Sequence, residues 1–172
     1  FYYFSQTFTN CIKGSDIYNT YYAEFLEVFN KIAIPDYLPN AFFVDGGTLA
    51  VENALKTAFD WKRRKNLSKG LKQRGDKIIY FKQAFHGRSG YTLSLTNTSD
   101  PRKTMYFPKF PWFKIDNPKL TFPLTNDILH DIKNAEEKIV KNINRVISEN
   151  TNDVAAIIIE PIQGEGGDNH FR

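Results

Sequence analysis

Three short clusters in the sequence hold the residue types from which a binding site can be built. The first is Gly46-Gly47-Thr48, which is followed by apolar residues at helical spacing. Glycines permit positive φ and the close approach of a ligand, and the free amides at the start of a helix favour a phosphate. These residues alone leave two interpretations open: a phosphate site, or an ordinary helix start that the Thr48 hydroxyl caps.

The second cluster, Phe85-His86-Gly87-Arg88, lies a few residues after a short apolar run. The Phe85 ring can stack on a planar cofactor or belong to the core, and His86 can supply a polar edge or only a structural hydrogen bond. The Arg88 guanidinium has the shape for bidentate binding of a carboxylate, although an arginine in a turn is also commonly solvated. This cluster is typical of a site for a planar cofactor and an acidic substrate, but for Phe85 taken alone core packing is the commoner explanation.

The third cluster contains two carboxylates, Glu160 and Glu165, separated by Pro-Ile-Gln-Gly. Glu160 ends a run of strand type, where a buried carboxylate is costly unless it has a partner or a ligand. Glu165 lies among glycines, so it is either a mobile acid facing a cleft or a solvent-facing loop acid.

The elements that must position these clusters follow from apolar periodicity. Helices are predicted at residues 21–32, 49–65 and 126–149, and strands at 42–44, 77–81 and 154–159. Alternating strands and helices predict an α/β fold with a mostly parallel sheet and helices on both of its faces. All three clusters then lie at the carboxyl ends of strands, where ligands bind in such sheets. The proline-rich residues 100–123 are predicted to form an ordered, packed excursion.

Composition excludes several functional classes. The 172 residues are 41% hydrophobic and 24% charged, which is typical of a globular protein. The net charge of +4 comes mainly from a basic run at 62–74 without interleaved aromatics, so we expect a solvated helix end and no nucleic-acid partner. A single cysteine, Cys11, fits a reducing, cytoplasmic compartment. No run is long enough for a membrane span, and His130 and His170 lack the spacing of metal ligands, so neither a membrane partner nor a metal is expected.

The clusters lie within longer motifs that resemble the class III, pyridoxal-phosphate-dependent aminotransferases. The motifs are SDIY at 15–18, DYLPNAFFVDGGTLAVENALKTAFDWK at 36–62, FHGRSGYTLSLTNT at 85–98, FPKFPWFKID at 107–116 and EPIQGEGGDNHFR at 160–172. EPIQGEGG is shared across the class, whereas FHGRSGYT and GDNHFR resemble the branch that transfers the ε-amino group of lysine. The resemblance implies that residues 1–172 are the N-terminal half of the large domain of a fold type I transferase.

The same resemblance implies a role for each cluster at a bound pyridoxal 5′-phosphate. Gly47 and Thr48 match the turn that holds the cofactor phosphate. Phe85 matches the aromatic residue that stacks on the pyridine ring, and His86 is the residue beside it. Glu160 matches the acid that closes a strand near the cofactor.

Other positions match substrate-binding or structural residues of the family. Arg88 matches the arginine that binds the α-carboxylate of lysine or 2-oxoglutarate. Glu165 matches the switch glutamate of the class, which pairs with a later arginine when an ω-amine substrate is bound and swings away for the dicarboxylate. Glu52 and Asn53 match positions that look structural, and Lys56 matches an ordinary helical position.

The implied reaction is transfer of the ε-amino group of L-lysine to 2-oxoglutarate, giving 2-aminoadipate 6-semialdehyde and L-glutamate, by a homodimer. In the family the Schiff-base lysine and the aspartate at the pyridine nitrogen lie further downstream. Because the chain begins at Phe1 rather than Met and stops after the third cluster, we expect a fragment of a longer protein, inactive alone. The alternatives are another class III ω-aminotransferase, acting on ornithine or 4-aminobutyrate, and a non-catalytic α/β binding protein.

Overall fold

A computed structural model describes residues 19–72 and 74–172, and the chain divides into two compact units between Asp45 and Gly46. Cys11 and the SDIY motif at 15–18 lie outside the described residues. None of the helices in the described part combines the length and the apolarity that a membrane crossing requires.

The first unit contains one helix, α1 (Thr20–Ile32), as the apolar spacing predicted. The Asn19 side chain caps its start by accepting a hydrogen bond from the amide of Tyr22 at 2.8 Å. The helix ends before Pro35, which cannot continue it.

The strand predicted at residues 42–44 is wrong, because this segment forms no regular structure. The Phe43 ring instead lies edge-on to the rings of Phe25 and Phe29 on α1, at centroid distances of 5.4 and 5.3 Å. Phe42 remains 75% exposed. The strand-type residues of this segment therefore contribute aromatic packing rather than a ladder of backbone hydrogen bonds.

The second unit follows the order expected of an α/β fold. It contains α2 (Gly47–Leu67), β1 (Lys77–Phe81), α3 (Gly90–Leu95), β2 (Phe113–Ile115), α4 (Asn126–Glu149), β3 (Val154–Ile157), β4 (Ile162–Gln163) and β5 (Asn169–His170). The predictions for α2, β1, α4 and β3 are confirmed within two residues at each end.

Strand β1 is the centre of a three-stranded sheet with the order β2-β1-β3, and both of its neighbours are parallel to it. Ile79 lies opposite both Phe113 of β2 and Ile157 of β3. A separate antiparallel pair, β4 and β5, forms the arms of the loop at residues 164–168, called the glycine loop below.

Successive side chains of β1 point to opposite faces, and helices cover both faces. Ile78 and Tyr80 contact Leu55 of α2 and Leu95 of α3 in one core cluster. Ile79 and Phe81 lie in a second cluster, with Val146 of α4 and Ile115 of β2. This arrangement confirms the predicted parallel sheet with helices on both faces.

The proline-rich excursion is ordered, and it holds an element that periodicity did not reveal. Its three residues of β2 pair with β1 as a strand of the parallel sheet, which no sequence pattern predicted. Trp112, directly before β2, is 9% exposed and stacks on Phe110 at a centroid distance of 5.0 Å. The excursion therefore supplies both a strand and aromatic packing.

Candidate functional site

Helix α2 begins at Gly47 without a side-chain cap. Gly46 precedes it with a φ of +89°, a conformation that residues with a Cβ rarely adopt. A Cβ built on either Gly46 or Gly47 would have no neighbour within 4 Å, so space is open beside the first turn. Of the two interpretations left open, capping by Thr48 is wrong, since Thr48 is the second residue of the helix.

The turn after β1 brings the second cluster against this helix start. Gly87 has a φ of +123°, and a Cβ at this position would lie 2.7 Å from Oγ1 of Thr48 and of Thr92. Only a glycine permits so close an approach. The first two clusters, about 40 residues apart in sequence, therefore meet at Thr48 and Gly87.

His86 is buried in this turn, with only 7% of its surface exposed. Its amide donates to Oγ1 of Thr96 at 3.0 Å, and the Thr96 hydroxyl donates to the carbonyl of Gly87 at 2.6 Å. Its Nε2 atom has no hydrogen-bond partner among the residues described. Burial lowers the pKa of His86 to about 4, so the imidazole is neutral at physiological pH.

Glu160 joins the third cluster to the second. Its Oε1 accepts a hydrogen bond from the amide of Phe85 at 2.8 Å. Burial raises the pKa of the Glu160 carboxyl above its usual value, and the hydrogen bond from Phe85 offsets part of that rise. The expectation that this carboxylate has a partner is confirmed.

Glu165, on the glycine loop, forms an ion pair with Lys103, which belongs to a short 3₁₀ turn at Pro101–Lys103. Both side chains are partly exposed, so the pair itself adds little stability. Sequence spacing offered no signal for this contact, because the partners are 62 residues apart.

Arg88 is exposed and forms no ion pair with any residue in the described ranges. It directly precedes Ser89, the N-cap of α3. A guanidinium that is free in this way, beside a turn shared by two clusters, remains available for an anionic ligand.

Glu52 supports the turn from the side of α2. It is 9% exposed, and its Oε1 accepts hydrogen bonds from the amide of Thr92 at 2.9 Å and from the hydroxyl of Ser89 at 3.4 Å. A Cβ on Gly90 would lie 2.9 Å from the same oxygen. Glu52 therefore has the structural place that the family resemblance implied.

Sequence reasoning missed two residues that hold the turn, Thr96 and Asn97. Thr96 bridges His86 and Gly87, and Oδ1 of Asn97 accepts from the amide of Gln83 at 2.8 Å. Both follow a six-residue helix too short to show periodicity, so no sequence pattern identified them.

One cleft elsewhere in the second unit does not belong to this arrangement. A cleft of about 650 Å³ lies beside α2, lined by the aromatic rings of Phe59, Tyr91 and Trp112 and by charged residues, and none of the predicted site residues lines it. Within residues 19–72 and 74–172, no three His, Cys, Asp or Glu side chains are grouped as metal ligands.

Comparison with known proteins places the chain among aminotransferases. A family model described as aminotransferase class-III matches residues 8–172. The L-lysine-epsilon aminotransferase of Mycobacterium bovis is 44% identical over 168 residues, which cover 97% of this chain and 36% of that protein. The enzyme of the same name from Amycolatopsis lactamdurans is 46% identical over 159 residues, covering 91% of this chain and 34% of that protein.

A 4-aminobutyrate aminotransferase of Emericella nidulans is less similar, with 37% identity over 161 residues, covering 81% of this chain and 31% of that protein. The solved structure of lysine aminotransferase from M. tuberculosis in its internal aldimine form superposes with a TM-score of 0.89 at 41% identity, and the match covers 99% of this chain and 39% of that one. The chain therefore spans about a third of the length of these relatives, between 31% and 39%.

Proposed function

Because the chain belongs to the class III aminotransferases, we propose that the protein containing it transfers the ε-amino group of L-lysine to 2-oxoglutarate with pyridoxal 5′-phosphate as its cofactor. The products are 2-aminoadipate 6-semialdehyde and L-glutamate. The greater identity to two L-lysine-epsilon aminotransferases than to a 4-aminobutyrate aminotransferase favours lysine as the amine donor.

The observation that carries the proposal is the meeting of the three clusters at the ends of β1 and β3. Gly87 lies against Thr48, and Glu160 accepts from the amide of Phe85. The helix start, the aromatic residue and the carboxylate therefore border one region, although 75 residues separate Phe85 from Glu160 in sequence.

The residues present fit a phosphorylated planar cofactor. The start of α2 is uncapped, has open space at Gly46 and Gly47, and combines free amides with the positive end of the helix dipole. The buried Nε2 of His86 also lacks a partner within the described residues, as a polar atom facing a ligand would. We propose that Gly47 and Thr48 hold the phosphate, that Phe85 stacks on the ring, and that His86 and Glu160 flank it.

When bound, pyridoxal phosphate supplies the carrier for the amino group and an electron-withdrawing ring. The chain's own residues bind and orient the cofactor and the substrate. His86 is neutral, so it offers a hydrogen bond without adding charge, and its burial excludes water from that side. The amide of Phe85 holds the Glu160 carboxylate in place.

Arg88 is proposed to bind the α-carboxylate of lysine, so that the ε-amine rather than the α-amine reaches the cofactor. Its guanidinium is exposed and free of carboxylate partners in the described ranges, and bidentate binding would fix the direction of the substrate. Glu165 is proposed to lie near the acid end of the substrate, where its charge distinguishes a mono- from a dicarboxylate.

The test uses the full-length enzyme and three variants. Arg88→Ala is expected to raise the KM for lysine by about ten- to a hundred-fold, the factor that one lost charged hydrogen bond represents, while cofactor affinity changes little. Arg88→Lys should recover part of the loss. Arg145→Ala, which removes an exposed arginine on α4 paired with Glu149, is the control.

Equal losses of lysine and cofactor affinity in Arg88→Ala would contradict the assigned role. A donor panel of lysine, ornithine and 4-aminobutyrate with 2-oxoglutarate tests the substrate itself, and preference for another donor would overturn the lysine assignment. Sedimentation of the same protein tests the homodimer that the resemblance implies.

A further inference from the structure

The loop that carries Glu165 is anchored by buried side-chain amides, which the proposed function does not use. Strands β4 and β5 form the two arms of this loop and place Gln163 opposite Asn169. Gln163 is 0% exposed and Asn169 is 8% exposed. Buried amides are costly unless their donors and acceptors are paired, so their partners identify what they hold.

Gln163 connects the loop to the end of the central strand. Its Nε2 donates to the carbonyl of Lys82, directly after β1, at 2.9 Å. Its Oε1 accepts from Nδ2 of Asn117 at 2.9 Å and from Nδ2 of Asn169 at 3.0 Å. One amide therefore joins the loop, the β1 turn and the segment after β2.

Two further amides extend these contacts. Nδ2 of Asn117 lies 2.9 Å from Oε1 of Gln83, and Nδ2 of Asn169 donates to the carbonyl of Gly166, inside the loop, at 3.0 Å. The backbones of Gly166 and Gln83 also approach so closely that a Cβ on Gly166 would overlap the carbonyl oxygen of Gln83.

The backbone conformation of Gln83 is a second indication that the surrounding residues hold the contact between Gln83 and the glycine loop in place. Its φ is +62°, in the left-handed region that residues with a Cβ seldom adopt. Gln83 nevertheless holds this conformation, with its amide donating to Asn97 and its side chain accepting from Asn117. Strain of this kind persists where the surrounding contacts determine the backbone.

We propose that four residues, the amide cluster, are positioning residues that fix the Glu165 loop against the β1 turn and thereby set the preference of the site between lysine and 2-oxoglutarate. The amide cluster consists of Gln83, Asn117, Gln163 and Asn169. All four groups are neutral, so they hold the loop without changing the charge around Glu165. The inference rests on the proposed function, because it assumes that Glu165 lies near the bound acceptor.

The expected effect follows from the charge of Glu165. A carboxylate held in place, even one that is paired with Lys103, repels the second carboxylate of 2-oxoglutarate, and lysine has no second carboxylate to be repelled. Loosening the loop should let Glu165 move away. The ratio of the KM for 2-oxoglutarate to the KM for lysine is then expected to fall by about five-fold. This is the change in affinity that corresponds to the free energy of one typical hydrogen bond.

The experiment uses the full-length holoenzyme with Asn169→Ser, Glu165→Ala and the double variant. Asn142→Ser, which changes an amide on α4 that accepts from Arg145, is the matched control. Both KM values are measured, together with hydrogen exchange of the peptide covering residues 163–170. Melting temperatures separate a general loss of stability from a local one.

Asn169→Ser is expected to exchange faster in residues 163–170 and to have a lower KM ratio than wild type. Adding Asn169→Ser to Glu165→Ala is expected to leave the KM ratio of Glu165→Ala unchanged. Additive effects, or faster exchange with an unchanged KM ratio, would overturn the proposal. If Asn169→Ser does not fold, Gln163→Glu keeps the side-chain shape, removes the donor to Lys82 and is judged by the same outcomes. If the wild-type enzyme uses another amine donor, the proposed function fails, and the ratio measured with that donor still tests the amide cluster.

Discussion

Replacing Gly87 with alanine perturbs the point where the turn after β1 meets the start of α2. The new Cβ would lie 2.7 Å from Oγ1 of Thr48 and 2.8 Å from its Cγ2, and the backbone would keep a φ of +123°. The unfavourable φ costs roughly 1–3 kcal/mol and the overpacking about 1–3 kcal/mol, so the free energy of unfolding should fall by about 2–6 kcal/mol.

The assay is urea unfolding of the full-length, cofactor-free protein, followed by circular dichroism. Gly164→Ala is the matched control, because a Cβ there has no neighbour within 4 Å, and it should change stability by less than about 0.5 kcal/mol. Thr48→Ala removes both atoms of the Thr48 clash. The loss in the Gly87→Ala, Thr48→Ala double variant should therefore be smaller than the sum of the single losses by about 1 kcal/mol or more.

A Gly87→Ala protein as stable as Gly164→Ala would refute the reasoning, and so would strictly additive single and double variants. Either result would mean that Thr48 and Gly87 are not in contact. The meeting of the first two clusters, on which the proposed phosphate site depends, would then be lost.

Two further predictions concern pH in the cofactor-free protein. Because burial lowers the pKa of His86 from 6.5 to about 4, the unfolded chain binds a proton in this interval that the folded chain does not, so stability should fall as the pH drops from 6.5 to 4. Denaturant unfolding at several pH values should show a shallower fall in His86→Gln, and an unchanged slope would contradict a buried neutral imidazole. The pKa of Glu160 is raised, so its folded carboxylate becomes a cost once the pH exceeds the usual value of 4.5. Glu160→Gln can still accept from Phe85, and its stability relative to wild type should rise between pH 4 and pH 7; a constant difference would argue against desolvation of Glu160.

The long elements could be predicted from the sequence because each carries its own signal. Helix α4 shows apolar residues at helical spacing over 24 residues and begins after Thr125, whose side chain accepts from the amide of Ile128. Strand β1 is a continuous apolar run, the pattern of a strand buried on both faces. Their positions then place the loops that follow them at one edge of the sheet.

The errors share one physical cause, since short segments take their structure from distant contacts. Phe42-Phe43-Val44 has strand-type residues, but Phe43 packs on the aromatic rings of α1. The three residues of β2 lie among prolines and pair only because β1 offers a free edge. In such short segments the strand propensity of the residues is a weak predictor of whether a strand forms.

The clusters that border the candidate site were predicted as separate motifs, and their contacts were not. Nothing in the spacing of Gly87 and Thr48, or of Lys103 and Glu165, indicates that these residues touch. Such pairs are set by the three-dimensional arrangement of turns rather than by local pattern. Close approach at a glycine is visible only once both backbones are placed.

The hydrogen bond between Phe85 and Glu160 has a consequence for protein synthesis on the ribosome. Phe85 leaves the exit tunnel 75 residues before Glu160, which accepts the hydrogen bond from its amide. At the 5–20 residues per second typical of translation, that gap lasts roughly 4 to 15 seconds. A nascent chain halted before β3 thus carries the turn without the carboxylate that accepts its hydrogen bond, and this contact forms only after the later strand has emerged.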